Sequence, residues 1–150
     1  MQKEKIKKNK GFVILFAVML SSIILAITLG VVDIAYKEIK FSTSVKDTNN
    51  AFFAADVGSE CALFHDRVSN LFLESTAPTF SCNNISISTT ESPSKVWTFN
   101  VAGLGGSDNA CALVTVDKTD PTMTTIISKG YNDGCIPGNN TVERQIELTY

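Results

Sequence analysis

Four cysteines are the residues of this 150-residue chain whose type and spacing indicate the most definite chemistry. They are Cys61, Cys82, Cys111 and Cys135. An even number of cysteines in a small domain outside the cytoplasm is typical of disulfides, here two. Zinc binding is the alternative, but the sequence has no Cys-x-x-Cys pair and a single histidine, His65, four residues after Cys61. Disulfides are therefore favoured, and we expect neither a metal nor another cofactor.

The remaining polar residues do not form a recognisable catalytic pattern. His65 is followed by Asp66, but there is no second histidine for a triad elsewhere and no serine in a Gly-x-Ser-x-Gly context. The glycine-rich residues 103–106 lack the Gly-Lys-Ser/Thr ending of a phosphate-binding loop. Four aspartates offer calcium ligands without EF-hand spacing, namely Asp108, Asp117, Asp120 and Asp133. We therefore expect no enzymatic activity.

The elements that position the cysteines begin with an apolar segment. Residues 12–32 are 21 residues without one charge. At about 1.5 Å per residue, a helix of this length spans the hydrocarbon core of a bilayer. The sharp boundary between basic and apolar sequence, at Gly11 and Phe12, precedes this segment, whereas a secretory signal peptide is cleaved after its apolar region. We therefore predict a transmembrane helix over residues 12–32 that stays on the protein.

The charge of the chain is unevenly distributed. The formal net charge is −2, yet the first ten residues combine five lysines with one glutamate. Positive charge before an apolar helix is typical of the cytoplasmic side of a membrane, which predicts that the rest of the chain lies outside. There is no second basic cluster, so direct nucleic-acid binding is not expected.

The helical pattern continues beyond the apolar segment. Apolar residues spaced three, four or seven positions apart form two stripes. The first is Ile34, Phe41, Val45 and Phe52, and the second is Phe53, Val57, Cys61, Phe64, Val68 and Leu71. We predict one helix from Phe12 to Phe72, with the second stripe lying against a globular head. Two helices separated near Asn49 and Asn50 are the alternative.

Strands are predicted after the helix, where serine, threonine, asparagine and proline alternate with β-branched residues. They cover residues 95–101, 112–118, 124–128 and 142–150. Short connections favour an antiparallel meander whose apolar face the helix covers. The predicted fold class is α+β, with one long N-terminal helix packed on a small antiparallel sheet of about four strands. The predicted domains are a basic leader 1–11, a transmembrane helix 12–32, an extracytoplasmic amphipathic helix 33–72 and a disulfide-stapled β-sheet head 73–150.

This arrangement favours one of the three ways to pair the cysteines. If the second and third predicted strands form a hairpin, Cys111 at its open start lies near Cys135, which follows the hairpin. Cys61 lies on the second helical stripe, and Cys82 follows where the chain folds back from the helix end. We therefore favour Cys61–Cys82 and Cys111–Cys135, each contributing about 3 kcal/mol by restricting the unfolded chain.

Along its whole length the chain resembles the type IV pilins and pseudopilins. The matching features are a lysine-rich leader ending in Gly11, an aromatic residue after it, and one spanning helix extended beyond the membrane. Residues 51–60, AFFAADVGSE, resemble the AFxAAExGxE helix segment of PilX-type minor pilins, and residues 125–131 with 142–144 resemble their closing strand pair. The resemblance implies that a prepilin peptidase cleaves between Gly11 and Phe12 and that the Phe12 amine is N-methylated.

The resemblance also implies a structural subunit of a type IV pilus-like filament. Such a subunit is held in the bilayer of the cytoplasmic membrane as a single-pass protein with its head outside. It joins other pilin subunits at an inner-membrane assembly platform by helix–helix packing. In most pilins the fifth mature residue is a glutamate that meets a neighbour's N-terminal amine, whereas here it is Phe16. A subunit without this carboxylate fits best at the tip, so we expect a minor (tip or priming) pilin at the pilus or cell surface.

Other functions fit the same sequence. A membrane-tethered extracytoplasmic binding module would keep its lysine-rich N-terminus and would not polymerise. A type II secretion pseudopilin would share the leader and the helix. A secreted domain would be released by signal peptidase after Gly30, which would leave Val31 as its N-terminus.

Overall fold

The structure, a computed structural model, describes residues 10–73, 77–92, 94–106, 108–136 and 138–150. The predicted leader, residues 1–11, lies outside this part of the chain except for the backbone of its last two residues. Helix α1 runs without interruption over Lys10–Arg67, a length of 58 residues. The alternative of two helices is therefore wrong, because Asn49 and Asn50 are both helical.

The helix ends at Arg67, earlier than the predicted limit at Phe72. Asn70 has a φ of 49°, the left-handed conformation that commonly terminates helices. A short 3₁₀ turn, Leu71–Leu73, follows, and within it Phe72 has non-helical dihedral angles (φ −96°, ψ 37°). Phe72 is consequently turned into the core, where it is 0% exposed.

The chain divides into two compact units, Met1–Thr43 and Ser44–Tyr150. The described part of the first unit is helical throughout. The second unit contains the remainder of α1 and seven strands, which are β1 (Thr79–Cys82), β2 (Ile85–Ser88), β3 (Thr90–Glu91), β4 (Val96–Leu104), β5 (Ala110–Asp117), β6 (Thr125–Tyr131) and β7 (Glu143–Thr149). The predicted domain limits at residues 32 and 72 stay predictions.

The strands form two antiparallel sheets. The larger sheet has the order β3-β4-β5-β6-β7, and β1 pairs with β2 in a separate hairpin. The predicted fold class, a long N-terminal helix with an antiparallel sheet, is confirmed. The four predicted strands correspond to β4, β5, β6 and β7, but the expected number of about four is too low because β1, β2 and β3 were not predicted.

The β1–β2 hairpin closes on two asparagines. Asn83 and Asn84 have φ values of 49° and 61°, and they join the paired residues Cys82 and Ile85. A two-residue loop with positive φ at both positions matches the right-handed twist of the flanking strands, and asparagine tolerates it. Because of this turn, Cys82 is the last residue of β1 and pairs with Ile85 instead of lying in a loop.

The helix packs on the sheet with its small side chains. Ala51, Ala54, Ala55, Gly58 and Ala62 are buried, and they recur at helical spacing on one face. The predicted stripe does not face the sheet, because its members Phe53, Val57, Phe64 and Val68 are exposed and only Cys61 and Leu71 are half-buried. That prediction is therefore wrong.

The close approach of α1 to the sheet explains why the face of the helix with small residues is the one that packs. A Cβ atom built on Gly58 would lie 2.5 Å from the Ser128 Oγ and 2.7 Å from the Ala112 Cβ. A Cβ atom on Gly130 of β6 would contact the backbone oxygen of Ala51. Since real side-chain atoms do not approach so closely, large residues on this face of α1 would hold the sheet away.

Aromatic side chains fill the core beyond the end of the helix. Phe72 contacts the Phe80 ring at a centroid distance of 5.9 Å and the Trp97 ring at 5.6 Å. Phe80 in turn meets Phe99 edge-to-face at 5.1 Å. Trp97 is 1% exposed. These contacts join the 3₁₀ turn, the β1–β2 hairpin and the large sheet. They also stabilise the fold, because aromatic pairs in such arrangements contribute beyond the burial of their surface.

Candidate functional site

The apolar helical segment is the candidate surface for membrane insertion and assembly. The large apolar side chains of residues 12–32 are 43–75% exposed in the described chain. Ser21, Ser22 and Thr28 interrupt the segment, but their hydroxyl groups donate hydrogen bonds of 2.8–3.0 Å to backbone carbonyl groups three or four residues earlier. Each hydroxyl is thus satisfied within its own helix, as a lipid environment requires.

By length and composition, α1 is the one helix in the described chain that could cross a membrane. Its first acidic residue after Gly11 is Asp33. Phe16 is 57% exposed and offers only an aromatic ring. Phe12, the predicted first mature residue, is 75% exposed. The predicted cleavage bond between Gly11 and Phe12 lies at the edge of the described residues, and its processing stays a prediction.

The cysteines lie in the two pairs that the sequence favours. Cys61 of α1 and Cys82 of β1 form one disulfide, with a Cα–Cα distance of 6.1 Å. Cys111 of β5 and Cys135, which follows β6, form the other, with a Cα–Cα distance of 5.1 Å. The first bond ties the helix to the β1–β2 hairpin, and the second ties the start of β5 to the loop after β6.

His65 lies beside the first disulfide. One turn of helix separates it from Cys61, and one ring nitrogen lies with the Sγ atoms of Cys61 and Cys82 in a group whose ligand atoms are all within 4.8 Å of one another. Among the described residues, this is the one group of three or more potential metal ligands from cysteine, histidine and acidic side chains. We call these three residues the Cys-His cluster. In the described chain, the four aspartates named above are not part of such a group.

Asp66 is buried at the end of the helix, and two groups from distant parts of the chain meet it. The Lys118 Nζ lies 2.5 Å from the Asp66 Oδ1. The Tyr150 hydroxyl donates a 2.6 Å hydrogen bond to the Oδ2. The Arg67 guanidinium lies 4.1 Å from the centre of the Tyr150 ring, a cation–π geometry. We call these four residues the Asp66 cluster.

The Asp66 cluster changes the acidity of Tyr150. Burial raises the pKa of the Tyr150 hydroxyl well above its ordinary value of 10.0, and the hydrogen bond and negative charge of Asp66 raise it further. The neutral phenol is therefore the form that the fold favours. The arrangement is structural in character, since one carboxylate joins the last turn of α1 to the residue after β5 and to the residue after β7.

A cavity of about 360 Å³ lies beside the Asp66 cluster. Its lining includes Phe72, Trp97, Lys95, Lys118 and Asp120. Hydrogen bonds from the side chain and backbone of Thr122 lower the pKa of the Asp120 carboxyl. Lys118 is already paired with Asp66. Among its described lining residues, the Thr122 hydroxyl donates a 2.6 Å hydrogen bond to the Asp120 carboxylate.

The sequence alone does not predict the Cys-His cluster or the Asp66 cluster. The spacing of Cys61 and His65 was visible, but the approach of Cys82 depends on the β1–β2 hairpin. Asp66, Lys118 and Tyr150 are far apart in sequence, and no local pattern joins them. No protein-family model matches the chain, and no curated protein or solved structure matches it either.

Proposed function

We propose that this chain is a minor subunit of a type IV pilus-like filament, inserted in the cytoplasmic membrane and assembled through its N-terminal helix. The observation that carries the proposal is the uncharged helical segment of residues 12–32, exposed along its length and preceded by a lysine-rich stretch ending in Gly11. A peptidase that cuts before this segment leaves it on the mature protein as the means of assembly.

The segment suits both environments that such a subunit occupies. In lipid, its apolar side chains and internally bonded hydroxyl groups leave no polar group unsatisfied. In a bundle of similar helices the surroundings are equally apolar, so van der Waals packing decides the exchange. Transfer from the membrane to a filament core therefore requires no change in the helix itself.

Phe16 supports a position at the tip. A subunit with an apolar residue here offers its own Phe12 amine to a neighbour but has no carboxylate to neutralise the amine of another. An unpaired charge in an apolar bundle costs several kcal/mol. The least costly place for such a subunit is one where no further amine approaches it.

The second unit supports a role outside the cytoplasm. Its two disulfides close loops with sequence separations of 21 and 24 residues, and such bonds persist in oxidising compartments. A head stapled in this way suits exposure on a cell surface.

The test is to determine the N-terminus of the protein isolated from membranes, by mass spectrometry, in cells with and without a prepilin peptidase. We expect N-methylated Phe12 only where the peptidase is present. Gly11→Val should block this processing. Gly30→Val is the matched control, because a side chain at Gly30 meets no atom within 4 Å, and it should be processed normally.

Two results would contradict the proposal. An intact Met1 in both cell types would favour a membrane-tethered binding module. A new N-terminus at Val31, abolished by Gly30→Val, would indicate signal peptidase and a secreted domain.

A further inference from the structure

We propose that Cys61, His65 and Cys82 form a redox-gated metal site, which binds Zn²⁺ when the disulfide between the two cysteines is reduced and releases it when the disulfide forms. The site is independent of the proposed filament function. It lies within the second unit, at the junction of α1 with the β1–β2 hairpin.

The spacing of the ligand atoms suits the metal. Zinc takes sulfur at about 2.3 Å and imidazole nitrogen at about 2.0–2.1 Å in tetrahedral sites, which places neighbouring ligand atoms roughly 3.5–3.8 Å apart. In the Cys-His cluster all three ligand atoms lie within 4.8 Å of one another. Reduction allows the two sulfur atoms to separate, and the Cα–Cα distance of 6.1 Å between Cys61 and Cys82 leaves room for a bridging ion.

The hydrogen bonding of His65 leaves one of its ring nitrogens available to a metal. Its Nε2 lies 3.1 Å from the backbone oxygen of Ser81, and because a carbonyl can only accept, Nε2 is the donor. In the neutral ring the lone pair is therefore on Nδ1, which is buried and has no hydrogen-bond partner. Histidines that bind a metal through one ring nitrogen usually donate the other ring N–H to a carbonyl or carboxylate group, as Nε2 of His65 does to Ser81.

The protein around the site holds these ligands in place. Cys61 and His65 are one turn apart on α1, so their side chains lie on the same face of the helix. Cys82 is held by its antiparallel pairing with Ile85. The Phe80 ring lies 4.4 Å from the His65 ring and the Phe64 ring lies 5.3 Å from it. The three protein ligands leave a fourth position for water, as in open zinc sites.

The chemistry of the gate balances as a thiol–disulfide exchange. A dithiol reductant gives two electrons and two protons to the Cys61–Cys82 bond, which breaks to two thiols while the reductant forms its own disulfide. Binding of Zn²⁺ releases the two thiol protons and forms two Zn–S bonds and one Zn–N bond. In the reverse direction a disulfide oxidant takes two electrons from the two thiolates and two protons from water, so its own S–S bond breaks to two thiols. The Cys61–Cys82 bond forms again, and the metal leaves as Zn²⁺.

The second disulfide provides a comparison within the same chain. Cys111 and Cys135 also become thiols on reduction, but the chain's single histidine is His65, which lies at the first disulfide. Reduced Cys111 and Cys135 therefore offer two sulfur ligands without a nitrogen. The proposal requires the two pairs to behave differently toward the same metal ion.

The experiment uses the full chain in detergent, reduced with a phosphine that is then removed without oxygen, and titrated with Co²⁺ as a spectroscopic substitute for zinc. We expect one Co²⁺ per reduced chain with sulfur-to-cobalt charge-transfer absorption, and none in the oxidised chain. Replacing Cys111 and Cys135 by serine should leave this signal, whereas replacing Cys61 and Cys82 should abolish it. His65→Ala removes a direct ligand, so it should weaken binding by at least the roughly 10–100-fold that loss of a ligand's hydrogen-bond partner typically costs.

A second measurement avoids substitutions. In the reduced wild-type chain, Zn²⁺ should slow the alkylation of Cys61 and Cys82, but not of Cys111 and Cys135, when the modified peptides are mapped by mass spectrometry. Failure of the reduced wild-type chain to bind Co²⁺ overturns the proposal whether or not the chain stays folded, because the site is assigned to that form. Equal protection of all four cysteines overturns it as well.

Discussion

Replacing Gly130 by alanine tests whether the helix lies as close to the sheet as described. The added Cβ would overlap the backbone oxygen of Ala51 and approach the backbone nitrogen of Ala55, which are partners in the i to i+4 hydrogen bonding of α1. Neither atom belongs to a flexible side chain that could turn away. Relief requires the helix to move from the sheet, while the Cys61–Cys82 disulfide holds its far end.

Two opposing effects decide whether Gly130→Ala raises or lowers the free energy of unfolding. Alanine in a strand is ordinarily better than glycine by about 0.5–1 kcal/mol, because it loses less backbone freedom on folding. Overpacking costs about 1–3 kcal/mol, and a clash with backbone belongs at the upper end of this range. We therefore expect Gly130→Ala to lower the free energy of unfolding by about 2 kcal/mol. For a domain of this size, that corresponds to a fall in Tm of about 8–16 °C.

The assay is thermal unfolding of the oxidised full chain in detergent, followed by tryptophan fluorescence. Trp97 is the only tryptophan of the chain and is 1% exposed, so its emission reports on the second unit alone. Gly106→Ala is the matched control, because a Cβ there meets nothing within 4 Å, and its effect should stay within about 0.5 kcal/mol. A Tm for Gly130→Ala at or above that of the wild type would refute the close helix–sheet contact.

Two further predictions concern the Asp66 cluster. The folded state raises the pKa of Tyr150 and, more modestly, that of Tyr131, so their contribution to stability is complete below about pH 10 and decreases as the pH rises above it. Unfolding midpoints measured by Trp97 fluorescence should fall as the pH rises from about 10 to about 11, and they should fall less steeply in Tyr150→Phe. A flat profile for the wild type would disagree. Asp66→Asn should cost about 1.5–3 kcal/mol by removing a charged hydrogen-bond acceptor. Lys129→Ala is the comparison, because it breaks the 3.3 Å ion pair of Lys129 with Glu143, in which both side chains are at least 40% exposed. It should lower the free energy of unfolding by less than about 1 kcal/mol. If Asp66→Asn and Lys129→Ala lowered it equally, the result would argue against the burial of the Asp66 carboxylate.

Periodicity predicted the helix but not the face that packs. The strongest apolar pattern comes from large residues such as Phe53 and Phe64, and the most hydrophobic face of a helix is ordinarily the buried one. The contact instead uses Ala51, Gly58 and Gly130, because a helix that nearly touches a sheet needs residues without large side chains. A row of small residues at helical spacing, with a glycine inside a strand, is the signal that could have indicated this face.

Local sequence signals explain which strands were found. The strands β4 to β7 are long, contain β-branched residues and are separated by turn residues, so the sequence predicts them with limits that differ by a few positions. The β1–β2 hairpin was missed, although Asn83 and Asn84 are typical of a tight two-residue turn. The Cys-His and Asp66 clusters depend on contacts between residues far apart in sequence, such as Asp66 with Tyr150, and those follow from the finished fold rather than from any local pattern.

The attachments of the helix within the second unit also have a mechanical meaning. From Ala51 to Asp66 the helix is held by close packing, by a covalent bond and by a buried ion pair, over roughly 22 Å of its length. Tension applied along α1 would load all three attachments in shear at the same time, instead of peeling them one after another. The disulfide would carry the force that the noncovalent contacts cannot sustain. The same chain would therefore resist pulling far better when oxidised than when reduced, even under conditions in which both forms are folded at rest.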